Sequence, residues 1–201
     1  MSLVEALSGI DTLNLIALMC IVFIGLPHGA MDGALAAHFG WMESKKKAAT
    51  FLISYVAMAA IVVGVWFIAP ALSFIIFLAI SMYHFGKGDV DTGGQESPVT
   101  ESLARGGIVI GGISQFHRAD ADQIFQALIG SNTELVWLFL NSVVPMTIIF
   151  AILSMVNKNT GERGSFLGEI TGLALIFSIL PPLVGFAIYF CLIHSIRHFA
   201  S

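Results

Sequence analysis

The sequence predicts an all-α, polytopic membrane helix bundle of about seven spans, with its N-terminus outside. Three observations predict the class. Of 201 residues, 57% are hydrophobic and only 11% are charged, against about 25% charged in a typical soluble domain. The mean hydropathy is +0.89, and a chain this apolar has too little polar surface to cover a globule in water. The apolar residues also gather into uncharged runs, several of them near the roughly 20 residues that a membrane helix needs. A single integral membrane domain over residues 1–201 accounts for the pattern, with the lipid bilayer as its solvent. No basic patch exists for phosphate contacts, so a nucleic-acid partner is excluded. Cys20 and Cys191 sit inside apolar runs and read as small core hydrophobes.

The elements follow in order. Residues 12–26 are uncharged and run on into Pro27-His28-Gly29. Residues 48–69 form a second uncharged run, and residues 71–86, past Pro70, a third. Residues 106–116 are apolar but short and glycine-rich, which makes them the weakest span. Residues 135–156 form a clean span in which Pro145 predicts a kink. Residues 170–196 are again uncharged, but Pro181-Pro182 interrupts them and reads as a turn between helices 165–180 and 183–199. The count is then seven, or six if the last run is unbroken. Residues 42–47, 87–102, 117–133 and 157–164 are polar connectors, and 87–102 has the Gly, Pro and acidic content of a solvated loop.

Lys and Arg placement sets the orientation. With seven spans and the N-terminus outside, Lys45, Lys46, Lys47, Lys87, Arg105, Lys158, Arg163 and Arg197 are cytoplasmic, and only Arg118 is outside. Six spans move Arg197 outside and leave the N-terminus where it was. Either count describes a multi-pass protein of the inner (plasma) membrane.

The chemistry lies in the histidines, because ionisable groups in membrane segments are costly and functional by default. His28 ends the first span among Pro27 and glycines. Asp32, four residues on, shares its helix face and is a candidate to orient the imidazole. His84 ends the third span. His194 and His198 form an i,i+4 pair on the last helix, a spacing that brings two imidazoles to one metal. In the seven-span reading, spans one, three and seven run the same way, so these four histidines approach one depth and can converge on one ion. His38, beside Trp41, reads as interfacial, and His117 falls on the opposite side. Imidazole suits Zn, Cu, Fe and Ni. A zinc protease needs Glu in H-E-x-x-H, where this chain has Ser195. Two bis-histidine b-type haems remain open, as does a transporter or channel that passes protons or metal through histidines.

GLPHGAMD, SMYHFGKGD and HSIRH, in this order in an apolar chain, resemble the Brp/Blh family of membrane β-carotene 15,15′-dioxygenases. GGISQFHRADADQIF looks like that family's middle region, and the resemblance covers about residues 20–199. It implies that His28, His84, His194 and His198 bind Fe(II). It also implies β-carotene and O2 as substrates, retinal as product, and a functional link to a retinal-binding rhodopsin. Family members continue past the HxxxH motif, so a chain ending at Ser201 is expected to be C-terminally truncated relative to them. The 16 Phe and 8 Met suit the apolar walls of a polyene tunnel. No acid or base beyond the metal centre is obligatory, and Tyr83, beside a ligand, is a candidate hydrogen-bond donor to an oxygen intermediate.

Overall fold

The computed structural model describes residues 11–90, 98–156 and 158–200, without the side chains of residues 26–32, 34 and 198–200. The described residues are helical with no strand. α1 (Thr12–His38) starts at Asp11, whose carboxylate accepts the backbone N–H groups of Leu13 and Asn14 at 3.0 Å each, satisfying donors that a helix start leaves orphaned. α2 (Lys45–Ile68) is capped by Ser44. α3 (Pro70–Gly88) opens on proline, whose missing N–H costs nothing at a first helical position. α4 (Val99–Gly107) continues through a π-helical segment (Ile108–Gly112) into α5 (Ile113–Phe116). α6 (Arg118–Ile129) and α7 (Glu134–Val156) follow, and α7 runs through Pro145 without interruption. α8 (Thr160–Ile179) begins with a capping box between Asn159 and Glu162. α9 (Pro182–Ile188) leads through a second π-helical segment (Tyr189–His194) into α10 (Ser195–Ala200).

The fourth span differs most from its expected form. Sequence pattern assigned residues 87–102 to a solvated loop and gave 106–116 as a short span. Helix instead starts at Val99 and is continuous to Phe116; residues 91–97 lie outside the described residues. Glu101, Ser102, Arg105 and Val109 are all buried. This helix is covered by protein, not lipid, so its faces need no apolar run. α3, α7 and α8 pack around it, and small residues set their closeness, as in many membrane helix pairs. A Cβ on Gly106 would lie 1.6 Å from the Met82 carbonyl oxygen, and one on Gly86 would lie 1.7 Å from that of Ser102. Gly106→Ala therefore meets backbone, which cannot rotate away. We expect it to destabilise at the upper end of the roughly 1–3 kcal/mol typical of overpacking, read as a lower melting temperature and less monodisperse protein in detergent.

The remaining packing fixes helix directions. Phe74, Leu78 and Met82, one turn apart on α3, join Ile110, Phe125, Trp137, Leu140 and Val143 in the main core. Phe177 of α8 packs on Tyr189 at 6.2 Å between ring centroids, while Glu169 pairs with Arg197 at 3.1 Å. The chain therefore doubles back at Pro181-Pro182, as the sequence suggested. Ala17 of α1 packs with Val184 and Ala187, and Gly25 faces Phe190, so α1 runs parallel to α9. Phe85 meets Phe186 and Tyr189, and Asp89 meets His194, so α3 runs parallel to them as well. α2 buries none of its residues. Past the lysines of its first turn its surface is largely apolar and little covered by protein beyond the packing of Trp66 on Phe74, which is the composition of a helix solvated by lipid. Among the described residues, α2, α3 and α7 are each long and apolar enough to cross a membrane.

Candidate functional site

Two of the predicted ligands meet in the structure. His84, one turn before the end of α3, and His194, closing the second π-helical segment, have ring centroids 5.6 Å apart in an edge-to-face arrangement. His194 is buried and His84 is exposed. The Phe85 and Phe190 rings flank His194 at 5.0 and 6.2 Å, giving that imidazole an apolar wall. Gly88 makes the approach of α3 possible: a Cβ there would lie 2.7 Å from His194 Cε1.

His194 is held by a group that sequence reasoning missed. Its Nδ1 lies 2.9 Å from Asp89 Oδ1, and the Tyr189 hydroxyl donates to Asp89 Oδ2 at 2.6 Å. All three side chains are nearly or completely buried. Asp89 stands in SMYHFGKGD, five residues after His84, but its partners are 100 and 105 residues away. Only a carboxylate ending an apolar span hinted at it; a search for local i,i+4 partners led to Asp32 instead. The side chains of His28, Asp32 and His198 lie outside the described residues, although α1 and α10 carry their backbones. Among the described residues no three His, Cys, Asp or Glu gather as metal ligands.

The other candidates sit apart. Tyr83 is 41% exposed, with Lys87 Nζ 6.0 Å above its ring. His38 is exposed. His117 joins α5 to α6, and its buried Nε2 has no hydrogen-bond partner. Near that end opens a cleft of about 700 Å³, lined by Arg118, Asp122, Thr133, Glu134, Trp137 and Asn141 among others. Arg118 lies 3.9 Å over the Trp137 ring. Hydrogen bonds from Trp137, Thr133 and Gln126 hold the Asp122 carboxyl below the usual carboxylate range.

Comparison with known proteins bears on what such a pair of histidines serves. The sequence profile of the family described as "Beta-carotene 15,15'-dioxygenase" matches residues 19–201. The chain belongs to that family. It is 32% identical over 195 residues to the β-carotene 15,15′-dioxygenase of uncultured marine bacterium 66A03, covering 96% of this chain and 70% of the relative. It is 26% identical over 207 residues to a probable β-carotene 15,15′-dioxygenase, Blh, of Halobacterium salinarum, covering 89% of this chain and 59% of the relative. No solved structure matches. The family's profile spans all three motif segments, and the His84–His194 pair joins the second to the third.

Proposed function

We propose that the chain cleaves the central 15,15′ double bond of β-carotene with O2 to give two molecules of retinal, at an Fe(II) held by His28, His84, His194 and His198. The observation that carries this reading is the meeting of His84 and His194 in a chain of this family. The donors suit the ion: neutral imidazoles bind iron, and the Asp89 contact at Nδ1 favours the tautomer whose lone pair is on Nε2. Helix register supports the rest of the set. α1 is parallel to α9, and Gly25 is level with Phe190, which brings the His28 backbone near the level of His194 at about 1.5 Å per residue. His198 follows His194 by one turn.

A bound ferrous ion supplies the reactivity toward O2. The chain's own residues hold its ligands, exclude water through Phe85, Phe190 and their neighbours, and align an uncharged polyene that offers no group for acid–base recognition. An apolar substrate dissolved in the bilayer can reach such a site between helices, and the exposed apolar surfaces of α2 and α7 suit that route. The retinal formed would serve a retinal-binding rhodopsin in the same inner membrane.

The test is retinal formation by detergent-purified protein supplied with β-carotene and O2, with and without added Fe(II). We expect two retinal per β-carotene consumed, only in the iron-loaded sample. A Soret band would instead favour a b-type cytochrome, and iron-free protein that moves protons or metal ions across a vesicle would favour a transporter.

The same reading fixes a seven-span topology with the N-terminus outside and all four histidines near the cytoplasmic side. The reversal at Pro181-Pro182 and the eight-to-one distribution of Lys and Arg support it. In a background lacking Cys20 and Cys191, a cysteine replacing Pro182 should label from outside, and cysteines replacing Lys46 or Ser201 only from the cytoplasm. Labelling of positions 46 and 201 from opposite sides would contradict it.

A further inference from the structure

We infer that Asp89, clamped by Tyr189, is the positioning residue of His194, setting both its tautomer and the direction of its Nε2. The inference rests on the proposed metal-site reading and adds to it a residue outside the histidine set.

Asp89 caps the C-terminus of α3, directly after the turn that carries His84. It is 4% exposed, and it links that turn to both ends of the second π-helical segment. Each carboxylate oxygen has its own partner: Oδ1 faces His194 Nδ1 at 2.9 Å, and Oδ2 accepts from Tyr189 at 2.6 Å. The second contact prevents the carboxylate from rotating away from the first.

The π-helical segment explains why both partners reach one residue. In an α-helix, positions five apart point about 140° away from each other at 3.6 residues per turn. A π-helix closes its hydrogen bonds at i→i+5, so Tyr189 and His194 come to one face. The carboxylate's own backbone is also fixed. Arg197 Nη1 donates to the Asp89 carbonyl at 3.3 Å, and Arg197 Nη2 pairs with Glu169 at 3.1 Å. Asp89 thus couples the His84 turn to His194, so that the two rings keep one relative geometry. A carboxylate accepting the Nδ1–H of a ligating imidazole raises the basicity of its other nitrogen, and loss of such a partner typically lowers metal affinity roughly 10–100-fold.

The test combines two readouts on the 201-residue protein in detergent. The first is the 15N NMR signature of the His194 ring without metal, assigned by its loss in His194→Gln. The second is the Fe(II) dissociation constant. In the wild type we expect the Nδ1-protonated tautomer. In Asp89→Asn an amide cannot serve both Tyr189 and the imidazole as acceptor. There we expect a mixed or reversed tautomer and Fe(II) binding weakened about 10–100-fold, with partial recovery in Asp89→Glu. Tyr189→Phe keeps the carboxylate and should shift both readouts the same way by less, so the inference stays testable if Asp89→Asn fails to fold. A purely structural role would lower the melting temperature and leave tautomer and affinity unchanged; that outcome, or an Nε2-protonated ring in the wild type, overturns the inference. A tautomer that responds to Asp89→Asn in a protein whose wild type binds no Fe(II) would support the positioning role and overturn the metal reading alone.

Discussion

Replacing His84 by alanine is expected to abolish both iron retention and retinal formation, while the protein still inserts and folds. His84 projects from the last full turn of α3, beyond the buried stripe of Phe74, Leu78 and Met82 that anchors that helix. Its ring is exposed, so truncation opens no cavity in the core and the fold should tolerate it. The effect on the site is severe for a different reason. Truncation removes a proposed ligand at a position where the nearest described histidine, His194, is already committed to its own place by Asp89. Metal analysis of the purified variant, together with a retinal assay, reads the outcome. Full iron occupancy in His84→Ala would remove His84 from the ligand set.

The largest stability effect is expected at Arg105. This residue is 8% exposed, between α4 and α8. Its Nε bonds Glu101 at 3.0 Å, and its Nη1 bonds Glu169. Lys158 adds a second cation to Glu101 at 2.6 Å, and Arg197 a second to Glu169 at 3.1 Å. The network ties α4, α8 and α10 together and ends on the Asp89 carbonyl through Arg197. Removing Arg105 leaves Glu101 held by Lys158 and Glu169 by Arg197 but cuts the ion-pair link between α4 and α8, so the loss should approach the roughly 3–5 kcal/mol of a broken buried pair. Arg105→Leu should therefore lower the melting temperature in detergent steeply and disturb the nearby His84–His194 geometry. The source of the loss is testable: a double-mutant cycle of Arg105→Leu with Glu169→Gln should be non-additive, since both variants break the same pair. Additive losses would mean that lost packing, not the broken pair, dominates.

These two sites mark where the sequence was legible and where it was not. α2 and α7 were legible because lipid covers much of their surface, so nearly every exposed position must be apolar. The reversal at Pro181-Pro182 was legible because two successive prolines remove two backbone donors and clash with the preceding turn, a stronger break than the single Pro145 through which α7 continues. α4 was not. Glu101 and Ser102 read as loop residues and Arg105 as a cytoplasmic charge, yet Arg105 pairs with Glu169 of α8 and Glu101 with Lys158 of the connector before α8, and pairings across more than 50 residues leave no local pattern. The same reason hid Asp89. The histidine motifs themselves stood out because imidazoles are rare in uncharged spans, and two of the four proposed ligands do meet. Asp32 was chosen by spacing alone, whereas the carboxylate that reaches a described histidine comes from another helix. Tyr83 followed from adjacency to His84, but adjacent helical positions point about 100° apart at 3.6 residues per turn, and its ring lies beneath Lys87.

The central claim is that histidines from three parallel helices hold the iron at which the carotenoid is cleaved. X-ray absorption at the iron edge of the loaded, detergent-purified protein tests it most directly. The account predicts one iron per chain in a nitrogen-dominated shell with the outer-shell scattering of imidazole rings, and a smaller imidazole contribution in any iron that His194→Ala retains. Iron bound without imidazole scattering, or protein that takes up no iron at all, would contradict it.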